Sequence, residues 1–276
     1  MRNRIVLAIA AIAAIAAVSA PAAFANHSWG GYHWARTANP FTVKLGNNLT
    51  SSEWQSHLSQ TSGDWSQSTV LDTSIVAGQA RSKNCRPTAG RDEICNGSYG
   101  NNGWLGLASI WLQSGSSHIV QGTVKLNDYY LGPGASYAYN NTYEREHVMC
   151  QEVGHTFGLD HQDTSGASFG TCMDYSHSTN STSTTPNTGD YDELLCIYDP
   201  ADAGRTLTSG SGSTAHTCTG TGHLDSTTTI GASLSQGAAS AHVPWWANPS
   251  ESVYVQHLAN GQTQVTYITW ASPLGF

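Results

Sequence analysis

The sequence has few charged residues, and basic ones are especially scarce. Charged side chains make up 11% of the 276 residues, with 11 Lys and Arg against 19 Asp and Glu, and the formal net charge is −8. A nucleic-acid-binding surface needs a concentration of basic side chains to meet the phosphates, and this composition does not supply one. We therefore expect no nucleic-acid partner.

Long apolar runs are also lacking beyond the N-terminus. Arg2 and Arg4 precede an apolar run over residues 5 to 18, and small residues follow up to Ala25. The run is shorter than the ~20 residues that span a bilayer. A basic start, a short apolar run and a small-residue end are typical of a secretory signal peptide. The sequence predicts cleavage after Ala25 and a secreted, extracellular protein with no membrane partner.

No C-x-x-C pair is present, which argues against a zinc site made of cysteine thiolates. Six cysteines occur after residue 25, and an even number in an exported chain predicts three disulfides. Fifteen connectivities exist for six cysteines. We favour pairing between neighbours in the sequence, which joins Cys85 to Cys95, Cys150 to Cys172, and Cys196 to Cys218.

The order of strand-like and helix-like segments predicts an α+β fold for residues 26 to 200. Strands are expected at residues 41 to 45, 69 to 76, 104 to 112 and 118 to 126. Helices are expected at residues 53 to 65, after Asn141 with Glu144 as capping-box partner, and after Asp190 with Glu193. The stretches 96 to 103 and 176 to 189 are rich in turn formers and are expected to be loops.

The composition changes after residue 200. Residues 201 to 240 are mostly Ser, Thr, Gly and Ala, which predicts a linker or a loosely ordered segment. Residues 241 to 276 contain two alternating runs around Asn260-Gly261, a strong hairpin signal. The sequence therefore predicts a C-terminal β-hairpin segment, without showing whether it docks on the main domain.

The helix expected after residue 141 has one chemically active face. Each helical residue advances by about 100°, so Gln151 and His155 lie within about 40° of each other and point to a common position. Glu152 lies beside that position, where a carboxylate can hold a water molecule. The opposite face is apolar and is formed by Met149, Val153 and Phe157.

Gly158 and His161 follow at a spacing that brings the chain back toward the same position. Glycine adopts the left-handed conformation without steric cost, so the helix can end there and the chain can reverse. A zinc ion held by three protein groups keeps a position for water, lowers the pKa of that water and generates a hydroxide. The spacing predicts a hydrolytic Zn²⁺ site, with Glu152 as general base and His155 and His161 as ligands.

The segment from Glu152 to His161 resembles the metzincin superfamily of zinc endopeptidases, which includes the matrixins and astacins. The resemblance implies a mixed sheet, an active-site helix, a methionine-containing turn beneath the metal and a short C-terminal helix. Residues 171 to 175 (TCMDY) match that turn. Met173 would form its apolar floor, and Tyr175 would ligate zinc or stabilise the reacting oxyanion. A Cys150 to Cys172 disulfide would tie the helix to the turn.

The sequence departs from the metzincin signature at the first ligand, where Gln151 replaces a histidine. An amide oxygen binds zinc more weakly than an imidazole. Two alternatives remain open for the third ligand: Gln151 as a weak oxygen ligand, or His147, which lies one turn earlier on the same face. We expect a secreted zinc endopeptidase that cleaves proteins or peptides.

Two other functions remain open. A metzincin-like scaffold that has lost its metal would act in binding or structure. The stretch G-x-S-x-G around Ser168 matches a serine-hydrolase elbow, but that elbow needs a strand before it and a helix after it.

Overall fold

The computed structural model describes Ser28 and residues 31–79, 84–162, 167–198, 228–229 and 253–271. The helices are α1 (Ser52–Trp65), α2 (Asp128–Leu131), α3 (Thr142–Thr156) and α4 (Thr188–Ile197), with a 3-10 helix at Ser181–Ser183. The strands are β1 (His33–Trp34), β2 (Phe41–Asn48), β3 (Leu71–Ala77), β4 (Asp92–Gly97), β5 (Trp104–Leu112), β6 (His118–Asn127), β7 (Thr228–Thr229), β8 (Val253–His257) and β9 (Thr263–Trp270). The protein thus has a mixed α and β architecture.

Parts of the predicted organisation fall outside the described residues. These are the signal peptide at residues 1 to 25 and, apart from β7, the linker at residues 201 to 240. In the ranges that are described, no helix is both long enough and apolar enough to cross a membrane.

The strands form one mixed sheet in the order β3-β2-β4-β6-β5-β9-β8-β7, with β1 paired to β6. The strands β3, β2, β4 and β6 run parallel to one another. The direction then reverses, because β5 is antiparallel to β6 and β9 is antiparallel to β5. The sheet therefore has a parallel half built from residues before 128 and an antiparallel half completed by the C-terminal segment.

The helix α3 lies at the centre of the molecule. It packs on β5, β6 and β9 and against α1. Met149, Val153 and Phe157 are fully buried in the main core, so the predicted apolar face is confirmed. The polar face is covered as well, since every residue of α3 from position 144 to position 156 is buried.

The predicted cap of α3 is present, but its box partner is wrong. The Asn141 side chain accepts a hydrogen bond from the Glu144 amide at 2.9 Å, which satisfies a free N–H at the helix start. The Glu144 carboxylate does not return to the cap. It instead accepts from the His177 ring and from the Ser178 amide, because those donors reach the buried helix start from the loop before α4.

The start of α4 is also corrected. Asn187, not Asp190, is the N-cap, and Asp190 is its box partner, accepting from the Asn187 amide at 2.7 Å. The helix therefore begins three residues earlier than predicted. The loop predicted at residues 176 to 189 includes a short 3-10 helix at Ser181–Ser183 as well as the first turn of α4.

The strand β4 was not predicted, and it takes up two residues of the loop expected at 96 to 103. Its first residues, Asp92 and Glu93, are charged in the sequence, yet both are fully buried between β2 and β6. Each has a distant partner that permits burial: Asp92 is bonded to Thr156, and Glu93 accepts from Asn48 at 2.7 Å in addition to its ion pair with Arg91. Because these partners are distant in the sequence, the charged residues give no indication that the strand is buried.

Two of the predicted disulfides are present, Cys85–Cys95 and Cys150–Cys172. The second joins α3 to the segment that carries Met173. Cys218, the expected partner of Cys196, lies outside the described residues.

The C-terminal hairpin is present and forms part of the sheet. β8 and β9 pair antiparallel, and the turn between them contains Gly261 with a φ of 82°, a conformation that favours glycine. β9 also pairs with β5 along its whole length. Tyr267 and Val265 of β9 enter the main core beside α3.

Candidate functional site

The end of α3 and the reversal after it bring His155 and His161 together. The helix stops at Thr156, and Gly158 has a φ of 97°, in the left-handed region. A Cβ at Gly158 would also overlap the carbonyl oxygen of Tyr32, so the turn requires glycine for two reasons.

The two imidazoles face each other in a buried space. The Nε2 atoms of His155 and His161 are 3.2 Å apart, and the two residues are only 1% and 2% exposed. The Nδ1 atom of His155 lies 2.9 Å from the carbonyl oxygen of Leu159. A carbonyl only accepts, so Nδ1 carries the hydrogen and the neutral ring presents the Nε2 lone pair to His161.

Glu152 is fully buried and has an unusual environment for a carboxylate. Neither oxygen has a hydrogen-bond partner of acceptable geometry among the described residues. Burial raises the pKa of Glu152 to about 8, although Thr269 and the backbone of Ala108 lie close enough to oppose that shift. A Cβ at Gly106 would come within 2.7 Å of Glu152 Cγ, so only glycine leaves room for this side chain.

Gln151 holds its amide between two partners. Its Nε2 donates to the carbonyl oxygen of Asp174 at 2.8 Å, and its Oε1 accepts from the Thr269 hydroxyl at 2.6 Å. His147, the other candidate for the third ligand, places Nδ1 2.5 Å from the carbonyl oxygen of Ser183. Both candidates are fully buried.

The turn that carries Met173 lies against α3. Met173 is fully buried, and its sulfur would be 2.6 Å from a Cβ placed at Gly154 of the helix. Its carbonyl oxygen accepts from the Gln162 amide at 2.7 Å, which links the turn to the residue after His161. Together with the Cys150–Cys172 disulfide, these contacts hold the turn and the histidines on one side of α3.

Tyr175 lies against His161, with ring centroids 4.7 Å apart. Burial raises its pKa above the ordinary value, so the phenol keeps its proton. The hydroxyl oxygen accepts a hydrogen bond from the Trp270 amide at 3.2 Å. The structure therefore brings Tyr175 close to one of the predicted ligands.

Residues of β9 complete the site, and no motif in the sequence indicates them. The Tyr267 ring stacks on His155, with centroids 4.6 Å apart and planes 7° apart. Thr269 contacts Gln151, and the Trp270 amide contacts Tyr175. The alternation of β9 predicts a buried face, but the partner of that face is more than one hundred residues away in the sequence.

Ser168 lacks the setting of a serine nucleophile. Its hydroxyl contacts the hydroxyl of Ser183, and the residues after it form the turn with Met173 instead of a helix. The sharp strand-to-helix turn that exposes such a serine is therefore not completed on its C-terminal side.

The positions of His155 and His161 suit two ligands of a metal ion, but they do not identify the third ligand. At a metal-to-nitrogen distance of about 2.0–2.1 Å, two imidazoles of a tetrahedral zinc site have nitrogens roughly 3.3 Å apart, close to the observed separation. A histidine whose other nitrogen donates to a backbone carbonyl is also typical of a metal ligand. Within the described ranges, however, no cluster of three or more His, Cys, Asp or Glu side chains suits a metal.

Comparisons with known proteins add little to this geometry. No protein-family model matches the chain, and no curated protein matches it. Among solved structures, the chain is similar to myroilysin, with 10% sequence identity and a TM-score of 0.34. That alignment covers 60% of this chain and 96% of myroilysin. A functional proposal must therefore come from the residues of the site.

Proposed function

We propose that the protein is a metal-dependent hydrolase, and more particularly a secreted zinc endopeptidase of the metzincin type. The observation that carries the proposal is the 3.2 Å separation of His155 Nε2 and His161 Nε2 in a buried space. Glu152 lies on the same helix, one turn before His155. The two disulfides also support export, because such bonds persist in oxidising compartments.

His155 and His161 would hold the zinc ion through their Nε2 atoms. The side-chain oxygen Oε1 of Gln151 is the candidate for the third ligand, because an amide oxygen has two lone pairs and Thr269 uses one of them. When bound, zinc supplies Lewis acidity and lowers the pKa of a coordinated water.

Glu152 is the proposed general base. A carboxylate beside a metal-bound water would accept a proton from that water and return it to the leaving amine. Burial without fixed hydrogen-bond partners leaves its oxygens available for that exchange. Tyr175, whose raised pKa keeps it neutral, is placed beside His161 to donate a hydrogen bond to a developing oxyanion.

A metal-free binding or structural protein is the second candidate. It is favoured by the Gln151 amide, which is already hydrogen-bonded at both ends. A simple hydrogen bond between His155 and His161 would also give their observed separation. In this case the chain keeps the scaffold and has exchanged metal binding for internal hydrogen bonds.

Metal analysis combined with a peptide-cleavage assay separates these functions. The purified protein should contain one zinc per chain, should cleave an unstructured protein substrate, and should lose cleavage with a chelator. His161→Ala should lose both zinc and cleavage, whereas the control His147→Gln should retain both. Zinc-free, inactive wild-type protein would exclude the peptidase. Zinc loss in the control would instead identify His147 as a ligand.

A further inference from the structure

The outer edge of β5, beside the candidate site, is filled by the chain's own C-terminal strand. β9 pairs antiparallel with β5 from Leu112 opposite Thr263 to Trp104 opposite Trp270. Proteins bind extended peptides by letting them add a strand to an open sheet edge. An extended peptide that lay along β5 would therefore need the edge that β9 now occupies.

Groups on β9 also contact the residues proposed for catalysis. Tyr267 covers the face of the His155 ring, and Thr269 donates to the Gln151 oxygen proposed as a ligand. The Trp270 amide donates to the Tyr175 oxygen proposed to assist the reaction. One strand thus engages three separate groups of the site through a ring contact, a side chain and the backbone.

The contacts of β9 coincide with a closed site. Gln151 and Glu152 have no exposed surface, and His155 and His161 have almost none. β9 therefore covers part of a site whose residues have almost no exposed surface.

We propose that β9 is an internal inhibitor of the site, and that an extended polypeptide substrate replaces it along β5. This inference rests on the proposed peptidase function. Val253, Val255 and Val265 of the hairpin are buried in the main core, which makes β9 the resting occupant of the edge. In the strand order the hairpin follows β5 and lies outside the parallel half, so its departure from β5 leaves the order β3-β2-β4-β6-β5 unchanged.

A reversible disulfide between the two strands tests the proposal. Ser109 of β5 and Thr266 of β9 are directly opposite, and their hydroxyl oxygens are 2.9 Å apart. Residues opposite one another at this distance suit a cross-strand disulfide. Neither residue belongs to the proposed catalytic machinery. The double variant S109C/T266C should lock β9 on β5 when oxidised and release it when reduced.

Hydrogen exchange provides a readout that does not depend on activity. In the reduced variant, amides of β5 and β9 should exchange faster than those of β6, because the hairpin opens separately from the parallel half. Oxidation should remove that difference. Single-cysteine variants and wild type under the same redox conditions serve as controls, including for any reduction of Cys150–Cys172. Equal exchange of β5, β6 and β9 in the reduced variant, or exchange unaffected by the lock, would overturn the proposal.

Peptide cleavage provides the second readout. The oxidised variant should lose cleavage and the reduced variant should recover it. An oxidised variant that cleaves as fast as the reduced one overturns the inhibitory role of β9. If the lock abolishes strand opening but neither form cleaves peptide, the mobile strand is supported and the peptidase proposal fails by itself.

Discussion

The two halves of α3 differ in the partners of their buried ionisable side chains. In the first half, Glu144, Arg145 and Glu146 are buried, and each has an explicit partner. The partners are the His177 ring and Ser178 amide for the first, Glu53 for the second, and His57 for the third. These groups contribute to folding, because a buried charge that is paired avoids most of the penalty of desolvation.

The second half of α3 lacks this matching. Glu152 has no hydrogen bond of acceptable geometry among the described residues, with Thr269 and the Ala108 backbone only nearby, and His155 directs a nitrogen at another imidazole. Such an arrangement stabilises the fold less than an apolar side chain of the same size would. Strongly perturbed groups of this kind are typical of functional sites. The first half of α3 therefore stabilises the fold, whereas the second half carries the groups proposed for catalysis.

The largest effect is expected from Glu152→Gln. Removal of a general base costs roughly 10²- to 10⁴-fold in rate, so peptide cleavage should fall by that factor while zinc stays bound. The unfolding midpoint should not decrease, since a neutral amide replaces a buried acid without partners. Asp92→Asn is the matched control, as Asp92 is another fully buried carboxyl group with a pKa raised to about 8. Equal cleavage by wild type and Glu152→Gln would contradict the role of the helix end.

Gln151→His tests whether the helix end is an incomplete metal site. The substitution supplies the third imidazole of the signature, and zinc affinity should rise by at least about tenfold, the smallest change expected for altering a metal-supporting group. Competition with a chromogenic chelator would measure it. The variant loses the contacts to Thr269 and Asp174, so its stability should be measured without metal. Unchanged affinity would favour the metal-free protein.

Glu144→Gln tests the helix start. The single oxygen of the amide must serve both His177 and the Ser178 amide, and the charge that strengthens these hydrogen bonds is lost. Stability should decrease by about 1–3 kcal/mol in denaturant unfolding. Zinc content and cleavage of the folded variant should match wild type. A catalytic defect without a loss of stability would remove the distinction between the two halves.

The smallest effect is a change in the free energy of unfolding per unit of pH, and it is expected from Asp92. This residue lies behind the last turn of α3. The Thr156 hydroxyl is 2.7 Å from both an Asp92 oxygen and the Val153 carbonyl oxygen. The hydroxyl donates to both oxygens and shares its one hydrogen between them, so its hydrogen bond opposes the rise in the pKa of Asp92 only in part. Burial is the main reason that its pKa is raised to about 8.

The sign of this pH effect follows from proton binding. Between about pH 4 and the raised pKa, the folded state keeps a proton that the unfolded state releases. Stability should therefore decrease as pH rises through that window, by up to roughly 1.4 kcal/mol per pH unit from this group. Denaturant unfolding of wild type and Asp92→Asn across the window measures it. The variant should have the flatter profile, and identical profiles would mean that Asp92 is ionised.

Features set by local spacing were predictable from the sequence. The helix cap at Asn141, the reversal at Gly158 and the approach of His155 to His161 all involve residues within a few turns of each other. Backbone geometry alone restricts such positions, so the pattern of residue types contains enough information.

Features set by distant partners were not predictable. The hairpin around Asn260-Gly261 was evident, but its docking on β5 depends on how Val265 and Tyr267 fit the core beside α3. The strand β4 was missed because Asp92 and Glu93 appear solvent-exposed until Thr156 and Asn48 are known to meet them. Long-range packing determines both, and sequence periodicity does not report it.

The turn at Gly158 also affects how the protein should be prepared. Ser28 forms a backbone bridge with Leu159, the residue after this glycine and two residues before His161. At the other end, Trp270 contacts Tyr175. Oligohistidine purification tags add imidazoles, which are themselves metal ligands. Metal measurements are therefore meaningful only on protein from which such tags have been removed.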